Sequence, residues 1–510
     1  MMIRHFVKQP IVYLGFFFTV CFPHSLLADV DSSWRAEELE QYVVEPGKDE
    51  WVEIESIPCR ENIAYSISDV TGKEVSSGNI ISKDCILKIK LNLNKGYYHL
   101  NINGLVRGIY STPTKVLTDF FGVDAALTHI IKDEGLRSEY VSLLKRIGIK
   151  VVRERLIWGD LSPESGVWNG ASKVDDLRKE YKKSDIKVLE AVQVSLQKGN
   201  EFPAQDKIEK DFTAFYDRWG KGWIGIEPWN EPNNRNTTSK LNDDEENKYI
   251  DKYVTYTKQS ASVIKDNVRV VNGSLAGNLG ANAGFSKKLS LREDFFATKS
   301  DFSFHTYGEA RNLSKWLAEY KNWLREKNFS GEIWITESGW AVHDDDLQKV
   351  SSENISAAVQ IAAKAIVAYS SNVKHYFAFV LPFYEEKDGK GKIRYFGLTD
   401  KSGSPNLSLA AYIQAAQVLS SSHHSDVKIL TSERGFKTFI PSDDHIVVAI
   451  YNNSGDTIPI PASVSYVEGM DGRKIDLESN DLLLGEGIVY LYFSNKNRSA
   501  AKLYFTKFLP

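Results

Sequence analysis

Between residues 113 and 420, short apolar runs alternate with stretches of helical periodicity, and this alternation limits the fold more than any other feature of the chain. The runs are Phe120–Asp124, Lys150–Arg155, Lys187–Val192, Trp223–Pro228, Val268–Gly273, Phe302–Tyr307, Glu332–Glu337 and His375–Val380. Near-continuous apolar runs, rather than alternating ones, mark parallel strands buried on both faces. The intervening segments read as helices. In Asp243–Lys265, for example, Ile250, Tyr253, Val254, Ala261 and Ile264 form one stripe, and the alanine-rich stretch 353–370 forms another. Eight strand–helix units predict an α/β fold, a (β/α)8 TIM barrel. An open doubly wound sheet is the competitor, but no glycine-rich phosphate turn follows the first strand.

On either side the pattern shortens to period two. Trp51–Ile54, Ala64–Ile67, Cys85–Leu91 and Tyr97–Ile102, separated by turn residues such as Thr71 and Gly72, predict an N-terminal β-sandwich-like domain over 29–112. Phe436–Ile440, His445–Tyr451 and Gly487–Phe493 predict a C-terminal β-domain over 421–510, which leaves 113–420 for the barrel. A chain of 510 residues exceeds one ordinary core, so several domains are expected.

The first 28 residues read as a signal peptide. Arg4 and Lys8 precede the apolar stretch Ile11–Phe22, and Leu26–Ala28 resembles a cleavage site. That stretch is shorter than the roughly 20 residues a membrane span needs. Export to the periplasm or the exterior is expected, with no stable membrane insertion after cleavage. Removing two basic residues moves the formal charge from −4 to −6, which leaves no basic footprint for nucleic acid. Cys59 and Cys85 then remain; they either pair as a disulfide in an oxidising compartment or stay as buried thiols.

Functional side chains of such barrels gather at the C-terminal strand ends. Those ends carry Asp124, Arg153 and Arg155, Gln193, Asn230 and Glu231, Asn272, His305 and Tyr307, Glu337 and Trp340, and Phe383 and Tyr384. Two acids among amides, an imidazole and aromatic rings make a polar cleft with apolar walls, suited to a sugar. Glu231 and Glu337 lie 106 positions apart (337 − 231) on the fourth and seventh strands. Paired carboxyls at different strand ends are what cleavage of a glycosidic bond requires.

The stretches Trp229–Asn233 and Thr336–Gly339 resemble the signature of clan A retaining glycoside hydrolases, most closely family 39. Arg153 leading into Trp158 and the Leu161–Trp168 turn, Phe304–Tyr307 on strand six and Phe396–Asp400 after strand eight are similar too. The resemblance covers the barrel and extends toward the C-terminal domain, not the first 110 residues. It implies Glu231 as general acid/base, Glu337 as nucleophile and Asn230 as partner of the sugar 2-hydroxyl, without a cofactor. The expected substrate is a polysaccharide or oligosaccharide. A transglycosylase using the same site and a silent glycan-binding scaffold are the alternatives.

Other roles stay open at this level. Arg153 either serves Glu337 or forms a structural ion pair with Glu190 or Glu227. His305 is either a site residue or a satisfied core histidine, and Tyr307 is expected to bond Glu337. Trp158, Trp168, Trp340 and Tyr384 are either sugar platforms or barrel packing. Residues His343–Asp346 look like a metal cluster, but acids commonly begin the next helix, and no metal is expected there.

Overall fold

The computed structural model describes residues 36–507, apart from 56–61, 162–167, 169, 194–201, 235–237, 239–240, 266, 282, 389–390, 453–456, 478–480 and 485–486. The leader, Cys59 and the interior of the Leu161–Trp168 turn therefore lie outside the described residues. Among the described residues, no helix is long and apolar enough to cross a membrane.

The eight apolar runs become a closed, all-parallel barrel. In chain order its strands are Phe121–Asp124, Val151–Ile157, Lys187–Gln193, Trp223–Glu227, Arg269–Ala276, Asp301–Thr306, Ile333–Ser338 and Tyr376–Phe379, and the first pairs with the second and the eighth. Val151, Leu189, Val271, Trp334 and Phe377 pack together as one inner layer. Such layers make the barrel a filled core and leave chemistry to its rim. The helices wrap outside for the reason their sequences indicate. Asp243–Ser262 starts at a capping box, Asn242 and Glu245 satisfying one another's backbone N–H groups, and buries Ile250, Tyr253 and Val254.

Two strands carry an extra residue that bears on the site. Strand five spends three steps, Asn272 to Leu275, against two on strand six, Phe302 to Phe304. Strand seven does the same from Ile335 to Ser338 against Tyr376 to Ala378 on strand eight. These are β-bulges, which turn side chains to the other face of a sheet. The first holds Gly273 and Ser274 at φ of 98° and 46°.

Ahead of the barrel, a five-stranded sheet and the two-stranded ribbon Glu50–Glu55 with Ile86–Leu91 form a β-layered unit. Cys85 is disulfide-bonded. The unit is tied to the rest of the chain by several bonds, two of which show the contact on either side. Gly108 N donates to Ser404 Oγ at 3.2 Å, and Tyr97 N donates to Asp471 Oδ2 at 3.0 Å. After the barrel, a five-stranded antiparallel sheet spans Lys428 to Ser494, and the helix Arg498–Lys507 packs on it. The helix Ser352–Ser370 is buried between the barrel and this sheet, where Gln360 Nε2 donates to Tyr451 OH at 3.0 Å.

Candidate active site

Strand two supplies the cations. Arg153 and Arg155, two residues apart, share the inward face, while Glu154 between them points outward and accepts from Tyr181 OH at 2.6 Å. Both guanidinium groups are fully buried. Arg153 donates to Asp124 Oδ2 at 2.8 Å, Glu227 Oε2 at 2.6 Å, Glu337 Oε1 at 2.5 Å and Asn230 Oδ1 at 2.7 Å. Arg155 grips both oxygens of Asp124, at 3.0 and 2.6 Å, and reaches Glu337 Oε1 at 3.1 Å. Arg153 therefore fills both of its expected roles, serving Glu337 and pairing with Glu227. Glu190 instead pairs with Arg178 at 2.7 Å outside the barrel.

Glu337 enters this network through the bulge on strand seven, which sets it opposite His305. Its Oε2 accepts from Tyr307 OH at 2.5 Å and lies 3.3 Å from His305 Nδ1. Burial pushes this carboxyl up, but His305, Arg153, Arg155 and the Tyr307 bond outweigh it and hold the group down at about 2. Glu231 stands in the opposite condition. Burial raises it, the Glu337 charge adds to the rise, and His305 and Arg153 offset only part.

Glu231 follows the end of strand four at φ 50°, a left-handed conformation unusual for a residue with a side chain. Its N–H bonds Ser274 O at 3.1 Å, so the bulge on strand five anchors the turn. His305 completes the link: Nδ1 lies 2.9 Å from Glu231 Oε1 and Nε2 lies 3.0 Å from Ser274 Oγ. An oxygen of Glu231, an oxygen of Glu337 and a nitrogen of His305 all lie within 4.8 Å of one another. Such a triad has the donor types of a metal site. Two guanidinium groups already occupy Glu337 Oε1, however, and a cation there would face their charge. The opposite shifts of the two carboxyls suit acid–base chemistry better.

The remaining expected residues divide. Asn230 joins the network, and Tyr384 feels the charges of Glu386 and Glu337. Trp158 stands apart from the network, its ring buried against Phe212, Phe215 and Tyr256. Trp168 packs edge-on to Trp219. Trp340 is half-buried against Val342 and Leu347. Phe383 packs on Tyr395, and Asn272 bonds Ser300 Oγ low in the barrel, because strand five runs on to Ala276. The side chain of Gln193 lies outside the described residues. In the segment His343–Asp346, Asp344 pairs with Lys349, Asp345 with Lys401, and the His343 ring with Glu353.

Several participants were not singled out from the sequence. Asn234 Nδ2 lies 3.4 Å from Glu231 Oε2, three residues past the motif glutamate. Glu386, on the short strand Tyr384–Lys387, is buried beside Arg394, and its Oε2 has no hydrogen bond among the described residues. Burial, together with the charges of Glu231 and Glu337, brings it up to about 7. A strand-like Tyr-Glu-Glu-Lys segment gave no hint that one of its acids turns inward.

A barrel of this topology brings two buried carboxyls, from the ends of strands four and seven, to one rim, as the resemblance to clan A glycoside hydrolases implies. Residues 204–412 match the model of a glycosyl hydrolase catalytic core, which supports glycoside hydrolysis as the barrel's chemistry. The fold is similar to that of a family 39 glycoside hydrolase from the gut symbiont Bacteroides cellulosilyticus WH2. That match has 14% identity and a TM-score of 0.67, and it covers 90% of this chain and all of the other. A glucosidase from Croceicoccus marinus overlays at TM-score 0.47, with 14% identity over 75% of this chain and 96% of its own. An endo-β-1,4-mannanase from Thermotoga petrophila overlays at 0.42, with 14% identity over 74% and 92%. Both overlays are too loose to bear on the argument. No curated protein sequence matches the chain.

Proposed function

We propose that the protein is an exported retaining glycoside hydrolase acting on a polysaccharide or oligosaccharide by double displacement. The observation that carries the reading is the pair of buried carboxyls, with oxygens within 4.8 Å and their proton affinities pushed in opposite directions. Retention needs carboxyl groups about 5 Å apart, whereas inversion needs room for a water between them. Glu337, held ionised, attacks the anomeric carbon; Glu231, whose proton affinity burial raises, gives its proton to the leaving oxygen. Glu231, now a base, then takes a proton from the water that releases the sugar from Glu337. Arg153 and Tyr307 keep the nucleophile anionic, and Asn230, held by Arg153 at 2.7 Å, presents its amide nitrogen to the sugar. His305 bridges the two acids and fixes their separation. Export rests on the leader read at residues 1–28.

The test is reducing-end release across neutral, acidic and acetylated polysaccharides, with Glu231→Gln and Glu337→Gln as blanks. Each variant is expected to fold and to lose nearly all activity. Azide should rescue Glu337→Gly and yield the glycosyl azide of inverted configuration. Full activity in either glutamine variant ends the proposal.

A further inference from the structure

Directly behind the acid cluster lies a cation that the chemistry above does not use. Lys364, on the helix Ser352–Ser370, is completely buried. No carboxylate of the described residues offsets it, and burial alone brings its ammonium down to about 7. Its Nζ donates instead to two main-chain carbonyls, Gly339 O at 2.7 Å and Thr306 O at 3.3 Å, and stands 5.9 Å from the centre of the Trp340 ring. A lone buried ammonium is costly to keep, so an apolar side chain would serve packing better.

The two carbonyls explain its presence. Thr306 lies between His305 and Tyr307, and Gly339 is two residues beyond Glu337. The strand ends meet closely here: a Cβ on Gly339 would come 2.9 Å from the Tyr307 ring. Tying both carbonyls to one nitrogen fixes the end of strand six against the end of strand seven. That is the separation spanned by the 2.5 Å bond from Tyr307 to Glu337. The same helix is pinned one turn earlier, where Gln360 accepts from Ala310 N at 2.8 Å and donates to Tyr451 of the C-terminal sheet. We propose that Lys364 is a positioning residue, clamping strands six and seven so that His305 and Tyr307 meet Glu337 in reactive geometry. The inference rests on the glycosidase reading.

The test compares Lys364→Met, Lys364→Gln and Lys437→Met on any glycan the wild-type protein cleaves. Lys437 is a matched control, a buried lysine of the C-terminal sheet with Nζ 4.3 Å from the centre of the Tyr504 ring and 3.3 Å from Tyr504 O. Lys364→Met should lower kcat about 10- to 100-fold with KM within about twofold, since small misplacements of reacting groups cost rate more than binding. Lys364→Gln, which returns two N–H donors on a shorter arm, should lose less. Lys437→Met should keep kcat within about twofold of wild type whatever its melting temperature. Wild-type kcat in Lys364→Met overturns the proposal. If that variant does not fold, wild-type kcat in Lys364→Gln overturns it. Equal losses in Lys364→Met and Lys437→Met reduce Lys364 to a stability role and overturn it as well. Wild-type activity in Glu337→Gln would remove the underlying glycosidase reading instead.

Discussion

Removing one hydroxyl, Tyr307→Phe, separates the two halves of the proposed reaction. The hydroxyl of the half-buried Tyr307 donates to the buried Glu337 Oε2 at 2.5 Å, and the tyrosine ring also packs edge-on to Phe379. Phenylalanine keeps the ring contact and loses only the bond. A buried hydrogen bond to a charged group contributes about 1.5–3 kcal/mol, which at 1.36 kcal/mol per decade is about 1–2 pH units or 10- to 150-fold in rate. The bond stabilises Glu337 as an anion. Glu337 is an anion before attack and again when it leaves, so the loss falls unequally on the two steps. Attack by a more basic carboxylate is partly compensated, whereas release of water-cleaved sugar from a poorer leaving group slows fully. The variant should therefore accumulate glycosyl-enzyme, visible as a burst of aglycone from an aryl glycoside. Its acid limb should also move up from about 2 by about 1–2 units. Stability follows with the same sign. A carboxyl held below its ordinary 4.5 contributes stability that is present above 4.5 and lost as pH falls toward 2. Tyr307→Phe should thus be less stable than wild type at neutral pH, and the gap should close between these values. An unchanged acid limb together with no burst would refute the assignment of Glu337 as a leaving nucleophile held down by Tyr307.

Three other substitutions probe the surroundings. Glu386→Gln removes a buried acid beside both proposed catalytic carboxyls; on the proposed mechanism the alkaline limb of kcat/KM, set by Glu231, should move to lower pH, and an unmoved limb would place Glu386 outside the site's field. Arg178→Met strips Glu190 of its buried partner and should cost about 3–5 kcal/mol in urea unfolding at neutral pH. Without the cation, burial leaves Glu190 titrating above its unfolded value, so the loss should shrink as pH falls; a loss independent of pH would contradict this. Gly108→Ala would put a Cβ 1.8 Å from Pro405 O where the N-terminal unit meets the barrel, costing about 1–3 kcal/mol. Unchanged stability would mean that this contact is not held in solution.

The barrel was legible in the sequence because its strands are buried on both faces, so each reads as an unbroken apolar run between helical stretches. The acids were legible because parallel strands deliver their last residues to one rim, where Asn230, Glu231 and Glu337 break an apolar pattern. Depth along a strand was not legible. Asn272 was placed at the rim, yet strand five continues to Ala276 and leaves it low in the barrel. Trp158 reads from sequence as either a sugar platform or barrel packing, and its ring lies in the cluster of Phe212, Phe215 and Tyr256. Lys364 and Glu386 were hidden for a different reason. A charged residue in a helix or an exposed-looking hairpin carries no local mark of the carbonyls or carboxyls that tertiary packing brings to it.

The bulges are what no periodicity rule could supply, and the site depends on them. Trp334 belongs to the inner layer with Val151 and Phe377. Strict alternation from Trp334 would send Thr336 inward and Glu337 outward toward the helices. The additional residue between Ile335 and Ser338 reverses that parity and puts Glu337 opposite His305. On strand five the corresponding bulge turns Ser274 to His305 Nε2 and offers Ser274 O to the N–H of Glu231. One irregularity thus aims the proposed nucleophile, and the other holds both the acid/base and the imidazole between them. The motif glutamates identify the chemistry, but their convergence is set by two inserted strand residues that an apolar-pattern reading treats as ordinary.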